Sequence, residues 1–339
     1  MKPVTLERVA WICIIMLAVL FGVVVLSLKV GAVPISVADL AVNLGRVLIG
    51  RSAQLPSEYS LIVFDLRLPR IVLGILVGAA LSVSGAGFQA LLRNPLADPY
   101  VLGVSSGAAL GAIIAVIALP QLPLMSPAAA FITATATITL VYFLGRREGQ
   151  LDSTTLLLGG IIAASFLSAV IVFLMSTLPG HEFRGMSFWL MGDLSTPLAA
   201  SLRWILGVGL LIGAGAIYTT AGDLNIITTG EREAIHLGVE VTRVKLVVYI
   251  SASLLTALAV SVSGAIGYVG LLVPHVMRLL FGSDYRVLIP ASAIGGAIVV
   301  VVADTLARTV VAPTELPVGA MTAIAGAPVF LYLLRRRMA

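Results

Sequence analysis

The stretch TTGEREAIHLGVEVTRVK, Thr228 to Lys245, lies between long apolar segments and contains six charged side chains. We interpret it as a short helix, a break at Gly238 and the start of a second helix. A charge at the centre of a bilayer costs roughly 2.5–3.5 kcal/mol, so this island must lie on an aqueous face. A helix in that position can transmit force between a membrane body and a partner outside it.

The composition places the rest of the chain in a membrane. Hydrophobic residues make up 59% of the sequence and charged residues 11%, and the mean hydropathy is +1.10. A soluble domain carries about 25% charged residues. Cys13 is the single cysteine, so disulfides play no part in the predicted fold, and the net charge of +5 forms no basic face that would favour nucleic acid.

A membrane-spanning helix needs about 20 apolar residues. By this rule the sequence predicts one all-α integral membrane domain over residues 1–339, with about ten spans. The first span is interpreted as an anchor, because its apolar run exceeds the roughly 7–15 residues of a signal peptide. The eighth is short and broken by Pro274. The predicted spans are Val9–Leu28, Ile71–Leu92, Val101–Leu119, Ala128–Leu144, Leu156–Leu178, Leu202–Tyr218, Leu246–Ala265, Gly267–Phe281, Leu288–Leu306 and Val318–Leu334.

Lysine and arginine in short loops mark the cytoplasmic side of a membrane protein. An even number of spans puts both termini on one side, and that side carries most of the basic residues, including Arg93, Arg232 and the terminal 335–337. We therefore expect both termini and the Thr228–Lys245 island to be cytoplasmic.

A short motif occurs twice: SVSGA is found at Ser82–Ala86 and again at Ser261–Ala265. Each copy is followed by a proline-containing segment and a helix of small residues. The first copy lies in a span that runs inward and the second in a span that runs outward. The pattern predicts an inverted repeat of spans 2–5 and 7–10, a common transporter plan. Chance recurrence among small residues is the alternative.

The sequence contains no G-x-x-x-x-G-K-[ST] phosphate loop, no H-E-x-x-H zinc pattern and no G-x-S-x-G nucleophile elbow. We therefore expect no catalytic residue, no metal site and no cofactor bound directly by this chain. Asp304 is the only carboxylate in the predicted spans, and Arg308 follows one helical turn later, where the two charges can neutralise each other. A self-powered transporter usually carries buried carboxylates along its path, so their near absence argues against one.

Four blocks of the sequence, in the same order, resemble the iron-siderophore, haem and cobalamin permeases of bacterial ABC importers. The first is LRLPRIVLGILVGAALSVSGAGFQALLRNPLADPYVLGVSSGAALGA at Leu66–Ala112, and the second is GEREAIHLGV at Gly230–Val239. The others are SGAIGYVGLLVPHVMRLL at Ser263–Leu280 and ADTLARTVVAPTELPVGAMTAIAGAPVFLYLL at Ala303–Leu334. The resemblance covers essentially the whole chain.

The resemblance implies a ten-helix subunit of the bacterial plasma (inner) membrane that pairs as a homodimer around a central pathway. Two separate ATP-binding subunits would hold ATP and magnesium. A periplasmic binding protein would deliver the small-molecule cargo, an iron chelate, haem or corrinoid. The chain itself would be a transport subunit and not an enzyme.

The resemblance also assigns roles to residues. The segment at about 228–240 matches the helix that couples the permease to the ATPase, with a solvated loop helix as the alternative. Three outer-face arginines match those that meet acidic residues of the binding protein, with snorkelling membrane anchors as the alternative. Two further segments match the cytoplasmic gate. The assigned residues are Glu231, Arg232, Ala234, Leu237 and Gly238 for coupling, Arg67, Arg70 and Arg308 for docking, and Asn94, Pro95, Leu96, Ser153 and Thr154 for the gate.

We interpret the chain as the permease for a ferric siderophore or haem, with cobalamin as the alternative cargo. A stand-alone secondary transporter would need buried charges along its path and would have no use for the charged island at Glu231. An integral membrane enzyme would need clustered nucleophiles or metal ligands.

Overall fold

The computed structural model describes residues 5–31, 33, 35–48, 59, 61–122, 124–147, 150–196 and 198–338. The predicted domain of residues 1–339 therefore includes termini that lie outside the described residues. A π-helical turn, Leu61–Arg67, runs directly into α3, and a 3-10 turn, Pro99–Leu102, precedes α4. A two-residue strand pair, β1 (Arg146–Arg147) and β2 (Gln150–Leu151), is antiparallel. The helices are α1 (Leu6–Lys29), α2 (Val37–Leu48), α3 (Leu68–Leu91), α4 (Val104–Ala118), α5 (Met125–Gly145), α6 (Ser153–Met175), α7 (Gly180–Leu190), α8 (Ala200–Thr219), α9 (Ala221–Ile227), α10 (Glu231–His236), α11 (Val241–Ser263), α12 (Val269–Phe281), α13 (Tyr285–Ala307) and α14 (Val318–Met338).

The described helices confirm the predicted spans in number and order. Seven are long and apolar enough to cross a bilayer: α1, α3 with its π-helical turn, α5, α6, α8, α11 and α13. Three shorter apolar helices, α4, α12 and α14, bring the spans to the predicted ten. The short helix α10 lies within the predicted charged island, and α9 directly precedes that island.

Most predicted span boundaries differ from the structure by one to five residues, and the start of the second span differs by ten. The second span starts at Leu61 and not at Ile71, because the charged residues Asp65 and Arg67 interrupt its apolar run without ending the helix. The third span, α4, starts at Val104 and not at Val101. Gly103 separates it from the preceding 3-10 turn by adopting a left-handed conformation (φ +76°).

The two halves of the chain pack in the same way. α3 packs against α11, and these two are the second and seventh spans. The contacts of α3 with α12 and α13 have counterparts in the contacts of α11 with α4 and α5. Within the halves, α4, α5 and α6 contact one another as α12, α13 and α14 do. This equivalence of spans 2–5 and 7–10 confirms the repeat predicted from SVSGA.

The central helices approach until their backbones touch. An added Cβ at Gly85 of α3 would overlap the carbonyl oxygen of Gly270 in α12, and one at Gly78 would overlap that of Gly296 in α13. Small residues allow such approach in lipid, where burial of apolar surface does not favour helix association. Beside these contacts Ser84 Oγ donates to the carbonyl oxygen of Ala252 in α11 at 2.7 Å. The core is therefore held by close backbone packing and buried hydrogen bonds.

Pro274 does not break the eighth span, and this prediction was wrong. α12 continues through it from Val269 to Phe281. Proline lacks the N–H that would reach the carbonyl four residues earlier, on Gly270. The side-chain amide of Gln89 in α3 supplies donors instead, 3.5 Å from the Gly270 oxygen and 3.0 Å from that of Leu271. A neighbouring helix thus satisfies the carbonyl that the proline leaves free.

The close packing predicts that Gly85→Ala destabilises the bundle. The new methyl group must displace the backbone at Gly270, and overpacking of this kind costs about 1–3 kcal/mol. The measurement is the melting temperature of the purified protein in detergent, with Gly215→Ala as the matched control. No atom lies within 4 Å of the Cβ position at Gly215, in α8, so that variant should melt at least as high as the wild type. Equal melting temperatures for the two variants would contradict this account of the core.

Candidate functional site

The predicted coupling segment is a short helix held against the membrane body by one face. In α10, Ala234 is fully buried, while Ile235 is 58% and Leu237 70% exposed. Gly238 has φ +83° and ends the helix, with its N–H donating to the carbonyl of Ile235. Ile235 and Leu237 are thus aliphatic side chains left accessible beside the exposed Arg232. Ala234 thus anchors the helix, while Arg232, Ile235 and Leu237 form its free surface.

Glu231, at the start of α10, is directed at the protein body. Its Oε1 lies 2.6 Å from Lys245 Nζ and 3.6 Å from Arg93 Nη2. Lys245 belongs to α11 and is nearly buried, whereas Arg93 directly precedes the predicted gate residue Asn94. Glu231 is predicted from the sequence as a site residue, but its contacts with Lys245 and Arg93 are not, because spacing along the chain does not bring these positions together.

The first gate segment is a tight loop stabilised by its own side chains. Asn94 Oδ1 accepts a hydrogen bond from the N–H of Leu96 at 2.9 Å, and Leu96 is 40% exposed. Asp98 Oδ1 accepts from the N–H of Tyr100 at 2.8 Å. Burial raises the pKa of the Asp98 carboxyl, and this hydrogen bond opposes the rise. Pro95 and Pro99 keep regular helix out of the loop.

Tyr100 ties this loop to the second half of the chain. Its hydroxyl donates to the carbonyl of Ile266 at 3.1 Å and accepts from the N–H of Ile266 at 3.0 Å. Burial raises the pKa of the Tyr100 phenol, so it stays a neutral hydrogen-bonding group. Ile266 lies between α11 and α12, so the gate loop is fastened to the junction that follows the second SVSGA motif.

The second gate segment lies at the start of α6. Asp152 caps this helix by accepting from the N–H of Thr155 at 2.8 Å. Ser153 is half-buried and Thr154 is exposed. The preceding residue, Leu151, is buried and belongs to β2. The structure therefore describes both predicted gate segments, on the loop after α3 and on the N-terminal turn of α6.

The three arginines assigned to docking lie together at the other end of α3. Arg70 Nε contacts Asp304 Oδ1 at 2.8 Å, and Arg308 Nε lies 3.6 Å from Asp304 Oδ2. Arg70 Nη1 also contacts Glu315 Oε2 at 2.7 Å. Arg67 is buried and donates to the carbonyl oxygens of residues 28 and 33. We call this set of five side chains the arginine cluster.

The arginine cluster extends the sequence interpretation in two respects. The predicted Asp304–Arg308 pair exists, but Arg70 of α3 is the closer partner of Asp304. Glu315, which is 47% exposed on its side chain, had been given no role, because it lies outside the predicted spans. In this conformation the three guanidinium groups contact groups of their own chain, and Arg308 also donates to Ser27 at 2.6 and 2.7 Å.

Among the described residues, ten apolar spans in an inverted repeat and a short charged helix define a multi-pass membrane transport protein. The family model of the FecCD transport family matches residues 13–336, and the chain belongs to this family. It is 42% identical over 339 residues to the cobalamin import system permease protein BtuC of Halobacterium salinarum, covering 99% of this chain and 90% of the relative. It is 41% identical over 285 residues to the hemin transport system permease protein HmuU of Yersinia pestis, covering 80% and 83% of the two chains.

A solved structure has the same fold. It is described as an inward-facing conformation of a metal-chelate type ABC transporter, and it superimposes with a TM-score of 0.80 at 29% sequence identity. The alignment covers 96% of this chain and 99% of the other. The resemblance stated from the four sequence blocks is thereby confirmed.

The arginine cluster predicts that Asp304→Asn destabilises the protein. Removing the carboxylate leaves two nearly buried guanidinium groups without their shared counter-charge, and breaking a buried ion pair costs about 3–5 kcal/mol. Thermal unfolding in detergent measures the effect. Glu240→Gln is the control, because its pair with Arg243 is exposed and such pairs contribute about 0–1 kcal/mol. A melting temperature for Asp304→Asn equal to that of the control would show that the cluster adds no stability.

Proposed function

We propose that this chain is the transmembrane permease of an importer that takes up an iron chelate, a ferric siderophore or haem. The observation that carries the proposal is membership of the FecCD transport family over residues 13–336. In the proposed complex two copies of the chain surround one pathway, and separate ATPase subunits supply the energy. A binding protein delivers the cargo from outside the membrane. The proposed location is the bacterial plasma membrane, with both termini in the cytoplasm.

Cobalamin is the second candidate cargo, because the relative that is 42% identical over nearly the full chain is a cobalamin permease. The hemin permease is 41% identical, so sequence identity does not separate the two. Haem, siderophore complexes and cobalamin share one chemistry, a metal ion enclosed by an organic ligand. A pathway for such a cargo needs shape and weak apolar contact more than fixed charge. The many exposed aliphatic and aromatic side chains of the described helices fit this requirement.

The free surface of α10 supports a contact with the ATPase. Ile235 of α10 and Leu237, the residue after it, are aliphatic and exposed beside the charged residues at 231–233. Partner docking would remove them from water, while Ala234 holds the other face of the helix to the body. Leu237→Glu would place a charge in that contact without disturbing the packing of Ala234.

Uptake by reconstituted vesicles tests the function. Vesicles with the permease, its ATPase subunits and its binding protein should accumulate one of three labelled cargoes, ferric siderophore, haem or cobalamin, only when ATP is present. Leu237→Glu should lower ATP-dependent uptake at least about tenfold, as expected for loss of an interface anchor worth more than about 1.4 kcal/mol. Arg243→Gln, a change at an 80% exposed side chain, is the control and should transport normally. Uptake driven by an ion gradient without ATP would instead favour a secondary transporter.

The arginine cluster is proposed to receive the binding protein through Arg67, Arg70 and Arg308. Arginine suits forked contacts with carboxylates. Glu315 is the exposed member of the cluster and already contacts Arg70 as a carboxylate of a partner would. Docking would therefore exchange an internal carboxylate for an external one.

This exchange predicts that Glu315→Gln strengthens docking of the binding protein. Loss of an exposed ion pair worth about 0–1 kcal/mol should tighten binding by up to about fivefold. Binding should weaken with added salt, because charges near the surface are screened over about 8 Å at physiological ionic strength. Affinity is measured with the immobilised permease at several salt concentrations, with Glu182→Gln as control. An affinity independent of both salt and Glu315 would argue for a purely structural cluster.

A further inference from the structure

Glu231 lies where three separate segments of the chain meet. It is the first residue of α10, and its side chain is only 26% exposed. One carboxylate oxygen is shared between the ammonium group of Lys245 at 2.6 Å and the guanidinium group of Arg93 at 3.6 Å. The shared oxygen makes the positions of α10, α11 and the loop after α3 depend on one another.

The lysine side of this contact leads to the second gate segment. Lys245 is 9% exposed on its side chain, and its Nζ lies 3.4 Å from the carbonyl oxygen of Leu151. Leu151 is followed by the cap residue Asp152 and then by Ser153 and Thr154. The ammonium group thus lies between the α10 carboxylate and the backbone that begins α6.

The arginine side leads to the first gate segment. Arg93 has a positive φ of +48° and directly precedes Asn94. A residue other than glycine in the left-handed region persists where its surroundings hold it. The N–H of Arg93 donates to the carbonyl of Ala90 at 3.1 Å, so this residue also ends α3. Its guanidinium group connects that turn to Glu231.

We propose that Glu231 is a positioning residue that transmits the motion of α10 to both gate segments at once. The inference rests on the proposed function, in which α10 receives the force of the ATPase. Arg93 conveys the movement to Asn94, Pro95 and Leu96. Lys245 conveys it through Leu151 to the N-terminal turn of α6. Because one carboxylate serves both connections, the two segments move together.

The Glu231–Lys245 pair, and not the neighbouring Arg243–Glu240 pair, carries the motion, because it is the more buried of the two. The Arg243–Glu240 pair lies nearby in the sequence, but its side chains are 80% and 72% exposed, so water replaces it at little cost. The Glu231–Lys245 pair is 2.6 Å long with side chains 26% and 9% exposed, so it is stronger than the exposed pair. The Arg93 contact, at 3.6 Å with Arg93 46% exposed, is the weaker of the two connections of Glu231. A displaced α10 therefore takes Lys245 with it.

The opposing explanation is that Glu231 only stabilises the fold by neutralising a buried lysine. The two roles differ in the double variant Glu231→Gln, Lys245→Gln. It leaves no buried charge without a partner, so the stability lost in Glu231→Gln alone should return. A stabilising role predicts that transport returns with it. A positioning role predicts that transport stays uncoupled from ATP hydrolysis.

The experiment uses the full complex of permease, ATPase subunits and binding protein in vesicles, with the cargo identified by the uptake test. ATP hydrolysis and uptake are measured together. Asn94→Cys, introduced after Cys13→Ser, reports the gate through cross-linking between the two copies without nucleotide, with ATP and after vanadate trapping. Arg243→Gln is the control that removes the exposed pair.

In Glu231→Gln and in the double variant, uptake per ATP hydrolysed should fall about tenfold or more, within the usual range of coupling between two sites. Cross-linking at position 94 should lose its dependence on nucleotide, while Arg243→Gln retains both properties. Recovery of coupled transport in the double variant would overturn the inference. Normal coupling in Glu231→Gln would also overturn the inference. Either result would leave the proposed function intact. Suppose instead that Asn94→Cys never cross-links in the otherwise unchanged protein. Then the proposed gate is wrong, and the inference fails with it.

Discussion

The rest of the structure depends on the contact of helix backbones at its centre. Lipid is as apolar as the helix surfaces, so burial of apolar side chains does not bring membrane helices together. α3 instead approaches α12 and α13 so closely that Gly85 and Gly78 face carbonyl oxygens directly. This approach brings Gln89 within reach of the carbonyls freed by Pro274, so a proline can stay inside a spanning helix. It also fixes both ends of α3, near which Asp304 and Glu231 each contact two cations.

The same electrostatic arrangement occurs near both ends of α3. At its start, Asp304 is shared by Arg70 and Arg308, and at its end Glu231 is shared by Arg93 and Lys245. In each case one carboxylate neutralises two cations from different segments, which keeps charge at the membrane boundary without leaving it unpaired. The helix that joins these sites is 24 residues long, or about 36 Å at 1.5 Å per residue. A rigid, buried helix of this length connects the proposed docking and gating ends of the transport subunit.

The sequence predicted the elements whose physics is local. The ten spans of the described residues follow from apolar runs, the short helix α10 from a charged island that lipid excludes, and the turn after it from Gly238. Helix boundaries were predicted wrongly where a residue that usually ends a helix is accommodated by the surrounding structure. Asp65 and Arg67 did not end the second span, because Asp65 is exposed and the buried Arg67 donates to the carbonyl oxygen of Leu28. Pro274 did not end α12, because Gln89 from another helix takes the place of the missing donor.

By itself the sequence determined the membrane class, the number and order of the spans, the repeat and the family, because each depends on composition, periodicity or motifs read along the chain. The tertiary structure alone decided which charges meet. Arg70 and Asp304 are separated by 234 residues, and no spacing rule relates them. The buried side of Ala234 and the shared contacts of Glu231 were likewise decided by folding, because which face of α10 turns inward depends on the helices against which it packs.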